Sequence, residues 1–345
     1  MGLHVAELAK KGSSLFPLTL SQQNIWGLEQ TYAETSINNI STTLRVKGRV
    51  DFVALQKSIQ LVLAADDSLR TQITMDGDRP MQYHAPFVET SFPVFDFSHT
   101  SAEGLESWET AVTRQVIPLM DQPLYRFILF RTGENAGGVL IKIHHIISDG
   151  WSQVLLCNRI GRAYLTLLSG EVPTLEPSPS YALHVREEAD YLASPAYQRD
   201  HRYWEDLLHR AGDPSVLKAV GSASVSPVGR RSSFQLPEAL NHAIYSFCVT
   251  RRVAPFSVFH IALAIYFKRI GGADRFTIGV PIFNRTNYQF KQTTGMFVNT
   301  LPFCSEISDA WSFSEFNDRL TEDWYDLLRH QRFPFSDMLR LTEGR

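Results

Sequence analysis

Two adjacent histidines, His144 and His145, precede an Asp149-Gly150 turn and offer acid–base chemistry. A neutral imidazole has a pKa near neutrality, so either ring is suited to removing a proton from an amine or hydroxyl nucleophile. Asp149 can act as the partner of that base or as an anionic brace for the turn. Gly150 lets the backbone approach a bulky substrate closely. Since a lone histidine beside an apolar strand is usually structural, the residues alone leave catalysis and a structural role open.

The segments around this motif predict how the two rings are placed. The apolar run 138–143 indicates a strand, and a helix is predicted from about Ser152 to Leu168. Adjacent strand residues point to opposite faces, so we expect one histidine to face a cleft while the other packs inward. The same geometry argues against a two-histidine metal centre, and no carboxylate or cysteine lies nearby at ligand spacing.

Composition and charge narrow the class of protein. The 345 residues are 44% hydrophobic with a formal net charge of −3, which gives no broad basic field for binding nucleic acid. No apolar run approaches the ~20 residues that cross a bilayer. The cysteines lie far apart without metal-type spacing, which indicates free core thiols of a reduced, cytoplasmic protein. They are Cys157, Cys248 and Cys304.

The order of predicted elements indicates a mixed α/β protein of two lobes, residues 1–172 and 173–345, with a cleft between them. The Pro-containing segment 170–180 is the expected connection. In the first lobe we predict a helix over 20–32 capped by Ser21, a helix capped by Asp51, and a hairpin of strands 125–130 and 139–143. In the second we predict a surface loop at 211–228, strands at 232–236, 276–282 and 297–303, and a last helix at 313–328.

His144-His145-x-x-x-Asp149-Gly150 resembles the active-site motif of condensation domains of nonribosomal peptide synthetases, members of the chloramphenicol acetyltransferase-like superfamily. Four further segments resemble motifs of this family in the family's order. They are Leu20–Trp26, Asp67-x-Leu69-Arg70-Thr71, Gly295–Thr300 and His330–Phe335. The resemblance implies two acetyltransferase-like lobes, each a mixed β-sheet with flanking helices, in a V shape around a central cleft.

The resemblance also implies roles for individual residues. His145 is the catalytic residue, which either deprotonates the acceptor amine or orients it, and His144 supports it. Asp149 is a structural carboxylate, expected to pair with Arg70. Residues that line the tunnel for the substrate and its phosphopantetheine arm are Gly150, Trp151 and Asn299. For Asn299, an ordinary satisfied loop amide is the alternative.

The implied reaction is amide formation between an acyl thioester donor and the amine of a carrier-bound aminoacyl thioester. The donor is fatty acyl-CoA or a carrier-bound acyl or peptidyl group. The domain binds no cofactor or metal itself, and its expected partners are peptidyl carrier protein domains and an adjacent adenylation domain. A thioester needs no enzyme nucleophile, which agrees with the lack of a Gly-x-Ser-x-Gly elbow.

The segment 32–39 resembles starter condensation domains of lipopeptide synthetases, which predicts a fatty acyl donor. Other readings stay open: a stand-alone CoA-dependent acyltransferase of the same superfamily, or a degenerate docking module without activity. An epimerisation domain continues differently after the aspartate, and a cyclisation domain has aspartates in place of the histidines. Because the chain ends soon after the last match, we expect the closing part of the second lobe to be missing.

Overall fold

The computed structural model describes residues 14–211, 229, 232–272 and 274–342, and their contacts divide the chain into two units. The first unit runs to Ala193 and also contains Arg285–Val298, and the second contains Ser194–Asn284 and the chain from Asn299 onward. This division differs from the expected boundary after residue 172. The Pro-containing segment packs on the first unit, where the amide of Ser178 donates to the carbonyl of Ala65 at 2.8 Å.

The first unit is built around a four-stranded sheet that ends at the paired histidines. Its strands in spatial order are β2 (Asn39–Lys47), β7 (Ala136–His144), β6 (Tyr125–Gly133) and β5 (Val94–Asp96). All neighbours are antiparallel except β5 and β6. The predicted hairpin is therefore confirmed, and its second strand is central and buried from Gly137 to His144. A methyl group at Gly138 would lie 2.0 Å from the carbonyl oxygen of Leu44, so the close approach of β2 requires glycine.

In the described residues, a smaller sheet and five helices complete the first unit. The three strands of this sheet, in the order β1-β4-β3, are β1 (Phe16–Pro17), β3 (Thr71–Asp76) and β4 (Arg79–His84). The helices are α1 (Leu20–Thr31), α2 (Phe52–Ala65), α3 (Ala102–Arg114), α4 (Gly150–Leu168) and α5 (Ala182–Leu192). The predicted cap of α2 by Asp51 is confirmed. The predicted cap of α1 by Ser21 is wrong, because Thr19 caps this helix in a reciprocal capping box with Gln22.

The second unit contains a two-stranded sheet that packs against helices. Its elements are α6 (Pro195–Ala211), α7 (Glu238–Arg251), α8 (Pro255–Gly271), β8 (Arg275–Ile282), β9 (Asn299–Glu306), α9 (Phe313–Arg329) and α10 (Phe335–Thr342). β8 and β9 pair antiparallel, and their apolar side chains join a core with Trp204 and Phe333. The strand predicted at 232–236 is wrong, since these residues have no regular structure. Of the loop predicted at 211–228, Ala211 ends α6 and the rest lies outside the described residues.

Two general features of the predicted class can be compared with the structure. Cys157, Cys248 and Cys304 are free thiols, and Cys248 is buried while the other two are half-buried. In the described part of the chain, no single helix is both long and apolar enough to cross a bilayer. Taken together, α7 and α8 have the length and the apolar composition of a membrane span, but the two helices are bent by 110° relative to each other.

Candidate active site

The paired-histidine motif occupies the turn between a central strand and a helix. His144 is the last residue of β7, His145–Ile147 form one turn of 3-10 helix, and α4 begins at Gly150. The predicted order of strand, turn and helix is confirmed. The helix begins slightly earlier than the predicted start near Ser152, because the side chain of Asp149 accepts the backbone N–H of Ser152 and caps the helix.

His144 is fully engaged in hydrogen bonds and is buried. Its Nδ1 accepts the backbone N–H of Ile146 at 3.1 Å, so the ring proton is on Nε2. That Nε2 lies 3.2 Å from Oε1 of Glu29 and donates to it. The same oxygen accepts Nδ2 of Asn38 at 2.7 Å. Burial raises the pKa of Glu29, but the hydrogen bonds from His144 and Asn38 outweigh burial and hold this pKa below its usual value.

His145 has a different environment although it is the next residue. Its backbone N–H donates to the carbonyl of Asn38 at 2.6 Å, and its side chain is partly exposed. Nδ1 of His145 is buried and has no hydrogen-bond partner among the described residues. An unpaired buried polar atom is costly, so this ring nitrogen has hydrogen-bonding capacity that the described residues leave unused. The turn therefore leaves one histidine engaged and the other with free hydrogen-bonding capacity.

Asp149 forms a buried ion pair with Arg285. Nη1 and Nη2 of Arg285 lie 2.7 and 3.0 Å from Oδ2 and Oδ1 of Asp149, a bidentate arrangement. The carboxylate also accepts both the amide and the hydroxyl of Ser152, at 2.9 and 2.8 Å, and the amide of Phe297 at 3.1 Å. The guanidinium lies 4.2 Å from the centroid of the Phe297 ring. Asp149 is thus a brace that joins the start of α4 to the segment 285–298.

The expected pairing of Asp149 with Arg70 is wrong. Nη1 of Arg70 donates to the carbonyls of Leu63, Ala64 and Asp66, and Nε donates to the carbonyl of Ala85. These acceptors include the last turn of α2, whose carbonyls have no partner within the helix and favour a cation. Arg70 therefore holds the end of α2, and the partner of Asp149 is Arg285, a residue that was not predicted from the sequence. The signal that could have identified Arg285 is a cation directly after a predicted strand, close to the Gly295–Thr300 match.

The three residues expected at a substrate tunnel lie in different surroundings. Gly150 is exposed, and a methyl group added there would meet no protein atom within 4 Å. Nε1 of Trp151 donates to the carbonyl of Lys291 at 2.9 Å in the first unit. Asn299 belongs to the second unit, where its Nδ2 donates to the carbonyls of Gln331 and Phe333 at 3.0 and 2.7 Å. Its amide group is therefore engaged with the second unit's own backbone.

No group of three or more histidine, cysteine, aspartate or glutamate side chains in the described ranges is arranged to hold a metal ion.

Comparison with known proteins identifies the family. A family model described as the Condensation domain matches residues 13–345. The chain belongs to the condensation domain family. This condensation domain is 34% identical over 333 residues to surfactin synthase subunit 1 of Bacillus subtilis (strain 168), covering 94% of the chain and 9% of that protein. It is 26% identical over 324 residues to a plipastatin synthase of the same organism, covering 93% of the chain and 13% of that protein.

Solved structures share the fold of this condensation domain. The first condensation domain of the calcium-dependent antibiotic synthetase, in complex with a substrate analogue, matches with a TM-score of 0.87 and 23% identity, over 96% of this chain and 79% of that chain. A mutant starter condensation domain of rhizomide synthetase, in complex with C8-CoA, matches with a TM-score of 0.87 and 22% identity, over 100% of this chain and 78% of that chain. The expected chloramphenicol acetyltransferase-like α/β fold is confirmed.

Proposed function

We propose that this condensation domain forms an amide bond between an acyl thioester donor and the amine of a carrier-bound aminoacyl thioester. The observation that supports this most directly is the contrast between the two histidines. His144 is engaged at both ring nitrogens, whereas Nδ1 of His145 is buried without a partner among the described residues. His145 is therefore the ring that has hydrogen-bonding capacity left for a substrate.

The proposed reaction needs orientation and one proton acceptor. The amine nitrogen attacks the thioester carbonyl, a C–N bond forms, and the C–S bond then breaks to release the thiol. His145 accepts or orients the amine proton, which finally goes to the leaving sulfur. Because a thioester is already activated, proximity and polar stabilisation of the tetrahedral intermediate supply the catalysis. No cofactor is required by these steps.

We infer that the two units correspond to two acetyltransferase-like lobes and that Gly150, Trp151 and Asn299 contact the phosphopantetheine arm of the substrates. Gly150 supports this assignment, since its exposed Cα leaves space that a methyl group would fill. The proposed partners of this domain are peptidyl carrier protein domains and an adenylation domain. Its proposed location is the cytoplasm. The free thiols of Cys157, Cys248 and Cys304 favour a reducing compartment.

The donor of this reaction is proposed to be a fatty acyl group, as in a starter domain. The segment 32–39 supports this, and the similar rhizomide starter domain was solved with C8-CoA. The chain spans about a tenth of the length of the curated relatives it matches. The donor and acceptor substrates are therefore tested on this domain itself and are not taken from those relatives.

The test combines acyl-CoA or an acyl-loaded carrier with an aminoacyl-loaded carrier and measures the amide product by mass spectrometry. We expect product from acyl-CoA and its loss, by on the order of 100-fold or more, in His145→Ala. His99→Ala is the matched control, because His99 is an exposed histidine of the same unit. Amide formation with a peptidyl-carrier donor and none with acyl-CoA would contradict the starter assignment. Turnover of a free amine without a carrier would support the stand-alone acyltransferase instead. Full turnover by His145→Ala would refute the mechanism.

A further inference from the structure

Glu29, near the end of α1, lies at the centre of the contacts that hold the histidine turn. Its side chain is 11% exposed, and a single oxygen, Oε1, accepts both Nε2–H of His144 and Nδ2–H of Asn38. Asn38 in turn accepts the backbone N–H of His145 on its carbonyl, at 2.6 Å. Glu29 therefore contacts the His144 ring directly and is connected to the His145 backbone through Asn38.

The turn that contains His145 depends on such outside contacts. A single turn of 3-10 helix has few hydrogen bonds of its own, and their geometry is poorer than in an α-helix. The amide of Ile146 bonds to the His144 ring rather than to backbone, and the carbonyl of Ile146 accepts Nε2 of Gln22, again on α1. The conformation of the turn is thus set by the His144 ring and by α1.

We propose that Glu29 is a positioning residue of the amide-forming reaction. By accepting from His144 and Asn38 at one oxygen, it fixes the turn that places the His145 imidazole. This inference rests on the proposed function and adds to it a residue that does not contact the reacting groups. What is required of residue 29 is an acceptor oxygen at this place, and its negative charge is secondary.

A neighbouring cavity offers a different role for Glu29, which the test must separate. Glu29 also lines a cavity of about 580 Å³ in the first unit, with Trp26, Gln30, Ile117 and Met120 among the other lining residues. If Glu29 served this cavity as a substrate contact, its removal would change the KM of a substrate. If it positions His145, its removal changes kcat with little change in KM.

The experiment compares Glu29→Ala with Glu29→Gln. Glutamine keeps an acceptor oxygen for both donors and removes the charge, whereas alanine removes the acceptor. We expect kcat to fall by on the order of 100-fold in Glu29→Ala, the size of effect that misplacing a reacting group produces. We expect Glu29→Gln to stay within about 3-fold of the unmodified protein, with KM for donor and acceptor little changed in both variants. Gln30→Ala, which shortens the adjacent side chain at the same cavity, is the matched control and should retain kcat.

A second variant tests the route through His144. His144→Asn keeps an acceptor near the Nδ1 position for the amide of Ile146 but loses the bond to Glu29. We expect His144→Asn to lower kcat. We expect the fold-loss of kcat in the double variant Glu29→Ala/His144→Asn to be much smaller than the product of the two single fold-losses, because both changes break the same contact. His144→Asn also keeps the test available if Glu29→Ala does not fold.

The proposal is overturned if Glu29→Ala retains kcat, if only KM rises, if Glu29→Gln is as slow as Glu29→Ala, or if the two single effects multiply. These outcomes are separate from a failure of the proposed function, in which the unmodified domain itself forms no amide. All rates are taken well below the melting temperature of each variant, so that loss of folded protein does not imitate loss of kcat.

Discussion

The ion pair of Asp149 and Arg285 leads to a prediction whose size follows from its burial. Asp149 is fully buried, and the Arg285 side chain is 2% exposed. Removing one partner of a buried pair leaves the other charge uncompensated, at a cost of about 3–5 kcal/mol. Asp149→Ala and Arg285→Met should each approach that cost, which is a large part of the ~5–15 kcal/mol that stabilises a domain.

The pair should show strong coupling in a double-mutant cycle. The double variant leaves no unpaired buried charge, so its loss should fall short of the sum of the two single losses by at least ~2 kcal/mol. Arg70→Met supplies the matched control, since Arg70 bonds to carbonyls at the end of α2 and not to Asp149. Its coupling with Asp149→Ala should stay within ~0.5 kcal/mol.

Urea unfolding measures the free energies, and hydrogen exchange of the Ser152 and Phe297 amides gives a local check, because both amides donate to Asp149. Exchange at these amides should accelerate in both single variants. Additive losses for Asp149→Ala and Arg285→Met, or coupling of Asp149 to Arg70 of equal size, would refute the reasoning.

Three further predictions concern other positions. Gly295→Ala would place a methyl carbon 2.1 Å from the Tyr181 ring, so the first unit should lose about 1–3 kcal/mol in urea unfolding, and the same change should cost less in a Tyr181→Leu background. Burial lowers the pKa of His260 from 6.5 to about 4, so the unfolded chain binds a proton that the folded second unit does not. Stability should therefore fall by up to about 3 kcal/mol as pH decreases from 6.5 through 4, and His260→Gln should remove this slope. Gly150→Ala should leave the melting temperature unchanged and lower amide formation, and full activity of this variant would contradict a tunnel role.

Local patterns predicted much of the framework around the site. The apolar runs at 125–130 and 139–143 have the length and turn signals of a hairpin, and the strands form there. Asp51 caps a helix because its side chain reaches the next amides along the chain, which depends on neighbouring residues only. The apolar run 138–143 likewise predicted that a strand ends at the paired histidines, and β7 ends at His144, directly before His145.

What the sequence could not provide depends on residues far apart. Arg70 and Arg285 are both arginines near a strand end, and only the folded chain shows which of them reaches Asp149. Glu29 is also separated from His144 along the chain, so no local pattern connects them. Residues 232–236, predicted as a strand, are exposed and find no partner strand among the described residues, and without a partner strand or a buried face a strand is not stabilised.

The first unit consists of two separate stretches of the chain, which affects its folding during synthesis and its transfer between synthetases by recombination. During synthesis a domain folds once its last segment is available, and Asp149 precedes its partner Arg285 by 136 residues. The nascent first unit therefore carries an uncompensated carboxylate until residues 285–298 have left the ribosome. A recombinant exchange between two synthetases at Ala193 would likewise join Asp149 to a foreign 285–298 segment, so the crossover should transfer both parts from one parent.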